Sequence, residues 1–403
     1  MLASRPACSG DFWRVTSILA ALSIVSLFAL SLQFFLLCRK CRAPLGRAVR
    51  TPPISVLKPL RGHDEGLYEN LTAIARQDYP DFEVILGAED PLDPALEVAR
   101  RVQRENPEVR IRVVTGSRLR GLNPKVRVLS TILDAAKHEW ILVSDSNVRP
   151  DPGYLTAMWS TAESQGGRLV HNLLMGARVR SLGARFENLH MNGWVAGAIA
   201  ICDAFGHPIV IGKSMLMTRS DLAAVGGLES VADVLAEDYV LGAAFRERGW
   251  PVVLSPYRLE VVSGARDFGA FLNRYVRWGQ LRRHIAPHYF LAEPIANPTP
   301  FLLGWLLSVL GEPATFALTS PALPFGLLLV RWVIEASSIR RFSPDTDVKT
   351  LLLMPVKDLI VPLMWLASAL RTRVSWRGHH MRIGSGSRLR PLEQELVTEA
   401  SRA

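Results

Sequence analysis

Two acidic residues stand where strand-like segments end. Asp90 follows FEVILGA at 82–88, and Asp145 follows WILVS at 140–144. In open α/β sheets, ligands gather at the carboxyl ends of the strands, so the two aspartates together mark a polar site for a nucleotide and a metal. Taken alone, either one can equally cap the helix that follows. Asp145 is the better metal candidate, because a hard cation such as Mg2+ takes one or two carboxylates and completes its shell with phosphates and waters. A third acidic site is Glu237-Asp238, placed near a helix start by the spacing of Tyr239, Leu241 and Phe245. There a carboxylate suits the helix dipole as well as it suits catalysis. The fourth feature is Arg274-Tyr-Val-Arg277-Trp278. On a helix, positions i, i+3 and i+4 share a face, which puts both guanidiniums and the indole on one side. Arginine matches phosphate bidentately, and the indole is a flat platform for a sugar or lipid. With Arg282, Arg283 and His284 nearby, the same face also suits an anionic lipid surface.

The segments that must position these residues alternate. Strand-like runs fall at 54–58, 82–88, 110–115 and 140–144, with helix-like runs at 65–77, 94–105 and 125–137 between them. This β-α-β order predicts an α/β domain with a mostly parallel, nucleotide-binding sheet. Neither a Walker loop nor GxGxxG follows the first strand, so the nucleotide must be held without a glycine-rich phosphate cradle.

Apolar residues make up 49% of the 403 and concentrate at the two ends. Residues 15–38 carry no charge over 24 positions, about 36 Å of helix at 1.5 Å per residue, enough for a hydrocarbon core of roughly 30 Å. A signal peptide begins with basic residues; here the basic residues come afterwards, so an uncleaved anchor is predicted. Residues 300–320 and 322–334 are apolar and interrupted by Gly311-Glu312-Pro313, Pro321 and Pro324. Residues 351–370 carry Lys357 and Asp358 in mid-run, and because charge at mid-bilayer is costly a re-entrant or interfacial segment is predicted there. The net charge is +10, and 39–50 and 371–390 are basic without a single acid. Basic clusters beside membrane segments suit the cytoplasmic side. The central region shows no basic stripe with interleaved aromatics, which argues against nucleic acid. Cys38 and Cys41 form a lone CxxC and, with Cys8 and Cys202, read as free thiols. The expected division is a tail at 1–14, an anchor at 15–38, a basic linker at 39–51, a catalytic domain at 52–285, a membrane region at 286–372 and a basic cytoplasmic tail at 373–403.

In order, Asp90, Asp145, Asp238 and Arg274-x-x-Arg277-Trp278 resemble the glycosyltransferase family 2 pattern of three spaced aspartates and (Q/R)xxRW on a GT-A fold. The resemblance is to the ceramide glucosyltransferase group, also classed as family 21. SVLKPLRG at 55–62, NLTAIARQDYP at 70–80, GLNPKV at 121–126, DSNVRP at 145–150, GKSMLM at 212–217, AEDYVLG at 236–242 and VSWRGHHMRI near the C-terminus strengthen it. It covers roughly 52–285 and reaches into the C-terminal region. The resemblance implies an integral membrane enzyme, its catalytic domain cytoplasmic, that moves a sugar from a UDP-sugar to a membrane lipid with inversion and a divalent cation, Mg2+ or Mn2+. By position, Lys58, Asp90 and Lys125 would contact the uridine and diphosphate, Asp145 would hold the cation, and Asp238 would be the base. Arg274, Arg277 and Trp278 would lie by the diphosphate and acceptor. Where many family 2 enzymes complete a DxD, this chain has Asn147, an uncharged donor. Hopanoid glycosyltransferases are close relatives with a different acceptor, whereas processive polysaccharide synthases share (Q/R)xxRW but need more helices for a polymer channel. The opposing reading is an inactive nucleotide- or lipid-binding membrane protein.

Overall fold

The computed structural model describes residues 9–310, 317–376 and 379–391. The Gly311-Glu312-Pro313 break, residues 1–8 of the N-terminal tail and residues 392–403 of the basic tail lie outside the described residues.

The four expected strands form as β1 (Ile54–Pro59), β2 (Phe82–Ala88), β3 (Arg110–Thr115) and β4 (Trp140–Ser144). They pair in parallel in the order β3-β2-β1-β4. Alternate residues of each strand point to opposite faces, and both faces are covered. Ile54, Val56, Val84, Leu86 and Leu142 join one core with the helices Leu67–Ala75 and Ala95–Glu105. Leu57, Ile85, Ile141 and Val143 join a second core with the helices Pro124–Ala135 and Glu237–Glu247. This two-sided burial explains why β1, β2 and β4 read as largely apolar runs, while β3, at the sheet edge, is only partly covered.

Beyond β4 the sheet is mixed. A short β5 (Val148–Arg149), a long β6 (Leu169–Val179), β7 (Ser214–Thr218) and β8 (Val252–Gly264) extend it to eight strands in the order β3-β2-β1-β4-β7-β6-β8-β5. β7 runs antiparallel to β4, opposing Ser214 to Ser144. The start of β7 is thereby delivered to the carboxyl end of β4.

The predicted anchor is part of a longer helix, Ser9–Cys41. Among the described residues two helices, this one from Phe12 to Cys41 and Ala322–Phe342, are long and apolar enough to cross a membrane. The first packs against the helices Thr299–Val309, Ala322–Phe342 and Ala196–Ala204. It turns Ser23, Ser26 and Gln33 inward and leaves Ile18, Ile24, Phe28 and Phe35 exposed, an apolar outer face suited to lipid. Lys40, at its end, is 3.0 Å from Asp203, tying the anchor to the Ala196 helix.

Lys357 and Asp358, on the helix Met354–Leu370, are buried and do not face lipid. Asp358 accepts from Arg331 Nη2 at 2.9 Å and from Trp332 Nε1 at 2.9 Å, while Lys357 pairs with Glu335. Two positive and two negative groups therefore cancel inside the helix packing, so these charges do not burden the apolar surface. The Met354 helix crosses Phe268–Ile285 so closely that a Cβ on Gly279 would lie 2.3 Å from Ser368 Oγ.

Residues 373–376 and 379–391, expected as the start of a tail, form an antiparallel sheet of β9 (Arg373–Trp376), β10 (His379–Ile383) and β11 (Leu389–Pro391). Val374, Met381, Ile383 and Leu389 pack on Leu235. Leu235 N donates to Ser387 O at 3.0 Å, and Leu389 N donates to Asp233 O at 2.7 Å. The sheet therefore braces the loop that leads into Glu237-Asp238.

Candidate active site

The polar cluster forms at the carboxyl ends of β1 and β4, which are neighbours. Lys58 of β1 is buried; its Nζ donates to Ser144 Oγ at 3.1 Å and to the Asp145 carbonyl at 2.8 Å. Burial pushes its pKa down to about 7, with the nearby Asp145 charge opposing. From the start of β7, Lys213 Nζ lies 3.3 Å from Asp145 Oδ2 and donates to Asn147 Oδ1 at 2.7 Å. Its pKa is also lowered by burial, to about 8, again against Asp145.

Lys125 arrives on the first turn of Pro124–Ala135, where the Asn123 side chain caps the helix by accepting from Lys125 N and Val126 N at 2.9 and 3.2 Å. Its Nζ lies 3.0 Å from Asp145 Oδ1 and 2.9 Å from Glu237 Oε1, and it donates to Gly212 O at 2.8 Å. Burial disfavours that charge, but Asp145, Glu237 and Asp238 outweigh it and hold the pKa above the ordinary lysine value.

Asp238, in the first turn of Glu237–Glu247, accepts from Gly212 N at 2.5 Å through Oδ2 and from Tyr239 N at 2.8 Å through Oδ1. Burial raises its pKa to about 6, Glu237 adds to the rise, and Lys125 and the two backbone donors oppose it. Glycine at 212 lets the backbone approach this closely: a Cβ there would lie 2.8 Å from Lys125 Nζ and 3.0 Å from Asp238 Cβ and would push the lysine off its place. The adjacent Glu237 behaves differently: it pairs with Lys125 and accepts from Asn123 Nδ2 at 3.2 Å, so it acts as a brace.

Asp90 ends β2 beside β1 but stays exposed, and its Oδ1 accepts from Leu92 N at 2.8 Å in its own turn. The fold thus gathers Lys58, Lys125, Asp145 and Asp238 into one cluster and leaves Asp90 at its outer edge. The cluster also takes in Lys213, visible in sequence only as the residue before a strand, and Glu237, which the sequence pairs with Asp238 without giving it a role of its own.

Arg274, Arg277 and Trp278 lie on the helix Phe268–Ile285, capped by Asp267, which accepts from Ala270 N at 2.8 Å. Arg274 Nη1 donates to the fully buried Glu187 at 2.7 Å, and Arg266 pairs with the same carboxylate. Nothing in the Leu182–Leu189 stretch signals that role for Glu187. Arg277 is half-buried on the same helix. Trp278 packs edge-on to Tyr275 with ring centroids 5.3 Å apart. Together with Ile199, Ile211, Leu281 and Asp238 it lines a cavity of about 470 Å3. Gln33 of the first helix reaches the same wall. Asp238 therefore stands where a charged strand-end cluster meets an apolar chamber. Such a boundary can hold a polyanion on one side and hydrocarbon on the other, with a carboxylate placed to take a proton from a hydroxyl between them.

Comparisons with known proteins agree with this arrangement. The family model described as glycosyl transferase family 21 matches residues 18–389. Ceramide glucosyltransferase 1 of Caenorhabditis elegans is 25% identical over 348 residues, spanning 84% of this chain and 73% of the relative. Ceramide glucosyltransferase 3 of the same organism is 25% identical over 390 residues, spanning 94% and 83%. Among solved structures, a mannosyltransferase from Pyrobaculum calidifontis in complex with GDP-Man and Mn2+ superposes with a TM-score of 0.50 at 16% identity. That alignment covers 88% of this chain and 98% of the mannosyltransferase, a likeness of fold alone.

Proposed function

The chain belongs to glycosyl transferase family 21 and has the GT-A glycosyltransferase fold, and from that premise we propose that it transfers glucose from UDP-glucose to a hydroxyl of a membrane lipid, ceramide first, with inversion. The observation that carries this reading is the position of Asp238 on the wall shared by the lysine-rich cluster and the apolar cavity.

In the reaction the lipid hydroxyl oxygen attacks the anomeric carbon from the face opposite the leaving group. The bond from that carbon to the diphosphate oxygen breaks, the hydroxyl proton passes to Asp238, and UDP departs. One displacement turns an α-linked donor into a β-glycoside and needs no second carboxylate. A pKa of about 6 leaves Asp238 ionised at neutral pH yet more basic than an ordinary aspartate, which favours a general base. Lys58, Lys125 and Lys213 supply positive charge for the departing diphosphate.

The residues fit a divalent cation. Lys125 and Lys213 already lie against Asp145 and Glu237, and burial leaves Lys58 only part of its charge near neutral pH, so an incoming diphosphate needs further counter-charge. Among the described residues no three His, Cys, Asp or Glu side chains are placed to hold a metal ion by themselves. Lys213 Nζ now takes both Asp145 Oδ2 and Asn147 Oδ1; with that ammonium turned to the diphosphate, Asp145 would hold Mg2+ or Mn2+ with the Asn147 amide oxygen beside it, and the diphosphate and waters would complete the shell. When bound, the cation neutralises charge on the leaving group. Excess EDTA is expected to abolish glucosyl transfer, and added Mg2+ or Mn2+ to restore it; full activity in EDTA removes the metal role from Asp145.

The acceptor reading is tested at Trp278. Trp278→Ala is expected to lower transfer to lipid by about tenfold or more while UDP-glucose hydrolysis to water stays within about twofold. Equal loss of both places Trp278 with the donor or the fold, and no loss removes it from the site. Placement of the catalytic domain on the cytoplasmic side rests on Arg39 and Lys40 in the last turn of the first helix. Incubating the purified protein with UDP-sugars and lipid alcohols, products identified by mass spectrometry, tests the whole assignment. The absence of any glycolipid refutes it.

A further inference from the structure

The C-terminal sheet has two unlike faces. Val374, Met381, Ile383 and Leu389 form the inner one, buried against Leu235. On the outer face, Arg382 of β10 stands directly opposite Arg373 of β9 on one side and Arg390 of β11 on the other. Directly opposed residues point to the same face with Cβ atoms about 5 Å apart, so the three guanidiniums form one row across the sheet. All three arginines are exposed, and among the described residues no carboxylate is paired with any of them. Like charges directly opposite one another destabilise a sheet, so the row is costly unless an anion joins it. The row also begins where an apolar helix ends. Met354–Leu370 has 17 residues, about 26 Å at 1.5 Å per residue, short of a hydrocarbon core of roughly 30 Å. Val356, Leu359, Leu363, Leu366 and Leu370 are exposed. Their spacing of three and four puts them on one face, the pattern of a helix lying in the membrane surface.

Arg373 follows the last apolar residue of that stripe by three positions, about 10 Å at the rise of a strand, which is headgroup depth. Gln280 Nε2 donates to Arg371 O and Arg373 O, both at 3.0 Å, and fixes β9 to the helix Phe268–Ile285 there. A row of neighbouring cations beside hydrocarbon is complementary to a leaflet of anionic lipids, which offers several phosphates side by side. A free phosphate would reach only part of the row. We propose that the outer face of the β9–β11 sheet binds the phosphates of anionic phospholipids, and that this binding steadies the loop leading into Glu237-Asp238. The coupling runs through backbone. Leu389 N donates to Asp233 O, Leu235 N donates to Ser387 O, and Ala236 N donates to Ser387 Oγ at 3.2 Å. Phosphates between the guanidiniums relieve their repulsion and stabilise the sheet, and the sheet in turn holds residues 233–236 in place.

The test uses the full chain in nanodiscs of phosphatidylcholine alone or with about 30% phosphatidylserine, an anionic lipid whose headgroup has no alcohol to receive sugar. Amide hydrogen exchange is read by mass spectrometry. Phosphatidylserine is expected to slow exchange in 233–236 and 379–391 by about fivefold or more, as a ligand of the folded sheet must. In the triple variant Arg373→Gln/Arg382→Gln/Arg390→Gln that slowing should vanish, while exchange in phosphatidylcholine alone should be no faster than in the parent, because the repulsion has gone too. No slowing in the parent, or equal slowing in the triple variant, overturns the proposal. Equal slowing by inorganic phosphate added to phosphatidylcholine discs overturns the lipid as the occupant, and slowing confined to 379–391 overturns the coupling. With ceramide at the same fraction in both mixtures, phosphatidylserine is also expected to raise kcat of the parent by about fivefold, and not that of the variant. A parent kcat within about twofold in the two mixtures likewise overturns the coupling. If phosphatidylserine slows exchange in a chain that transfers sugar to no lipid, the docking surface stands and the transfer reading fails.

Discussion

Asp238→Asn is expected to lower lipid glucosylation by about 10²–10⁴-fold while UDP still binds. The amide matches the carboxylate in size but cannot take the acceptor's proton at neutral pH. Its oxygen can keep one of the two backbone bonds, from Gly212 N or Tyr239 N. The other donor loses a partner, but the burial cost that raises the Asp238 pKa disappears with the charge, so thermal stability should change little. The same group sets the acid limb of the pH profile. Asp238 works as the ionised base, so activity present above its folded pKa is lost as the pH falls through about 6. On the alkaline side, burial lowers the pKa of Lys213 to about 8 and of Lys58 to about 7, so kcat/KM for the donor should fall as their charges are lost. A bound diphosphate favours the charged lysines, which moves this limb upward in kcat. Turnover of Asp238→Asn within threefold of the parent, or a kcat profile flat from pH 5 to 7, removes Asp238 from the proton transfer.

Lys125→Met should be damaging in two separable ways. The ammonium joins Asp145, Glu237 and Gly212 O, all within 3.0 Å. Its removal leaves buried carboxylates facing one another, which costs about 3–5 kcal/mol when one partner of a buried pair is deleted. It also removes charge from the proposed diphosphate site, so UDP affinity should fall by about 10²-fold, the worth of a charge-assisted contact or two. Lys125→Met/Asp145→Asn separates the effects: neutralising Asp145 should recover part of the lost melting temperature without recovering UDP binding. Calorimetric titration with UDP and thermal unfolding measure the two quantities on each variant. Unchanged UDP affinity in the single variant would reduce Lys125 to a structural brace.

The sequence by itself determined the features written in local period and short spacing. β1, β2 and β4 are legible because each is a largely apolar run buried on both faces, and the edge strand β3 because Ile111, Val113 and Val114 are β-branched. The first membrane-length helix is legible because its residues 15–38 carry no charge. Asp145 is legible because it directly ends a buried strand, and Arg274 and Trp278 because i and i+4 share a helical face. The tertiary structure decided what depends on distant backbones meeting. That Lys213 reaches Asp145 follows from β7 inserting antiparallel beside β4. That Glu237 braces Lys125 while Asp238 faces an apolar chamber depends on how Gly212 approaches the helix start. That Lys357 and Asp358 are neutralised depends on Arg331 and Glu335, more than 20 residues away, arriving on another helix. Periodicity records which face of an element is apolar, because that is fixed by neighbours along the chain. It carries no record of which charge from a remote segment will stand three ångströms away, and at this site that pairing sets each group's charge and its chemistry.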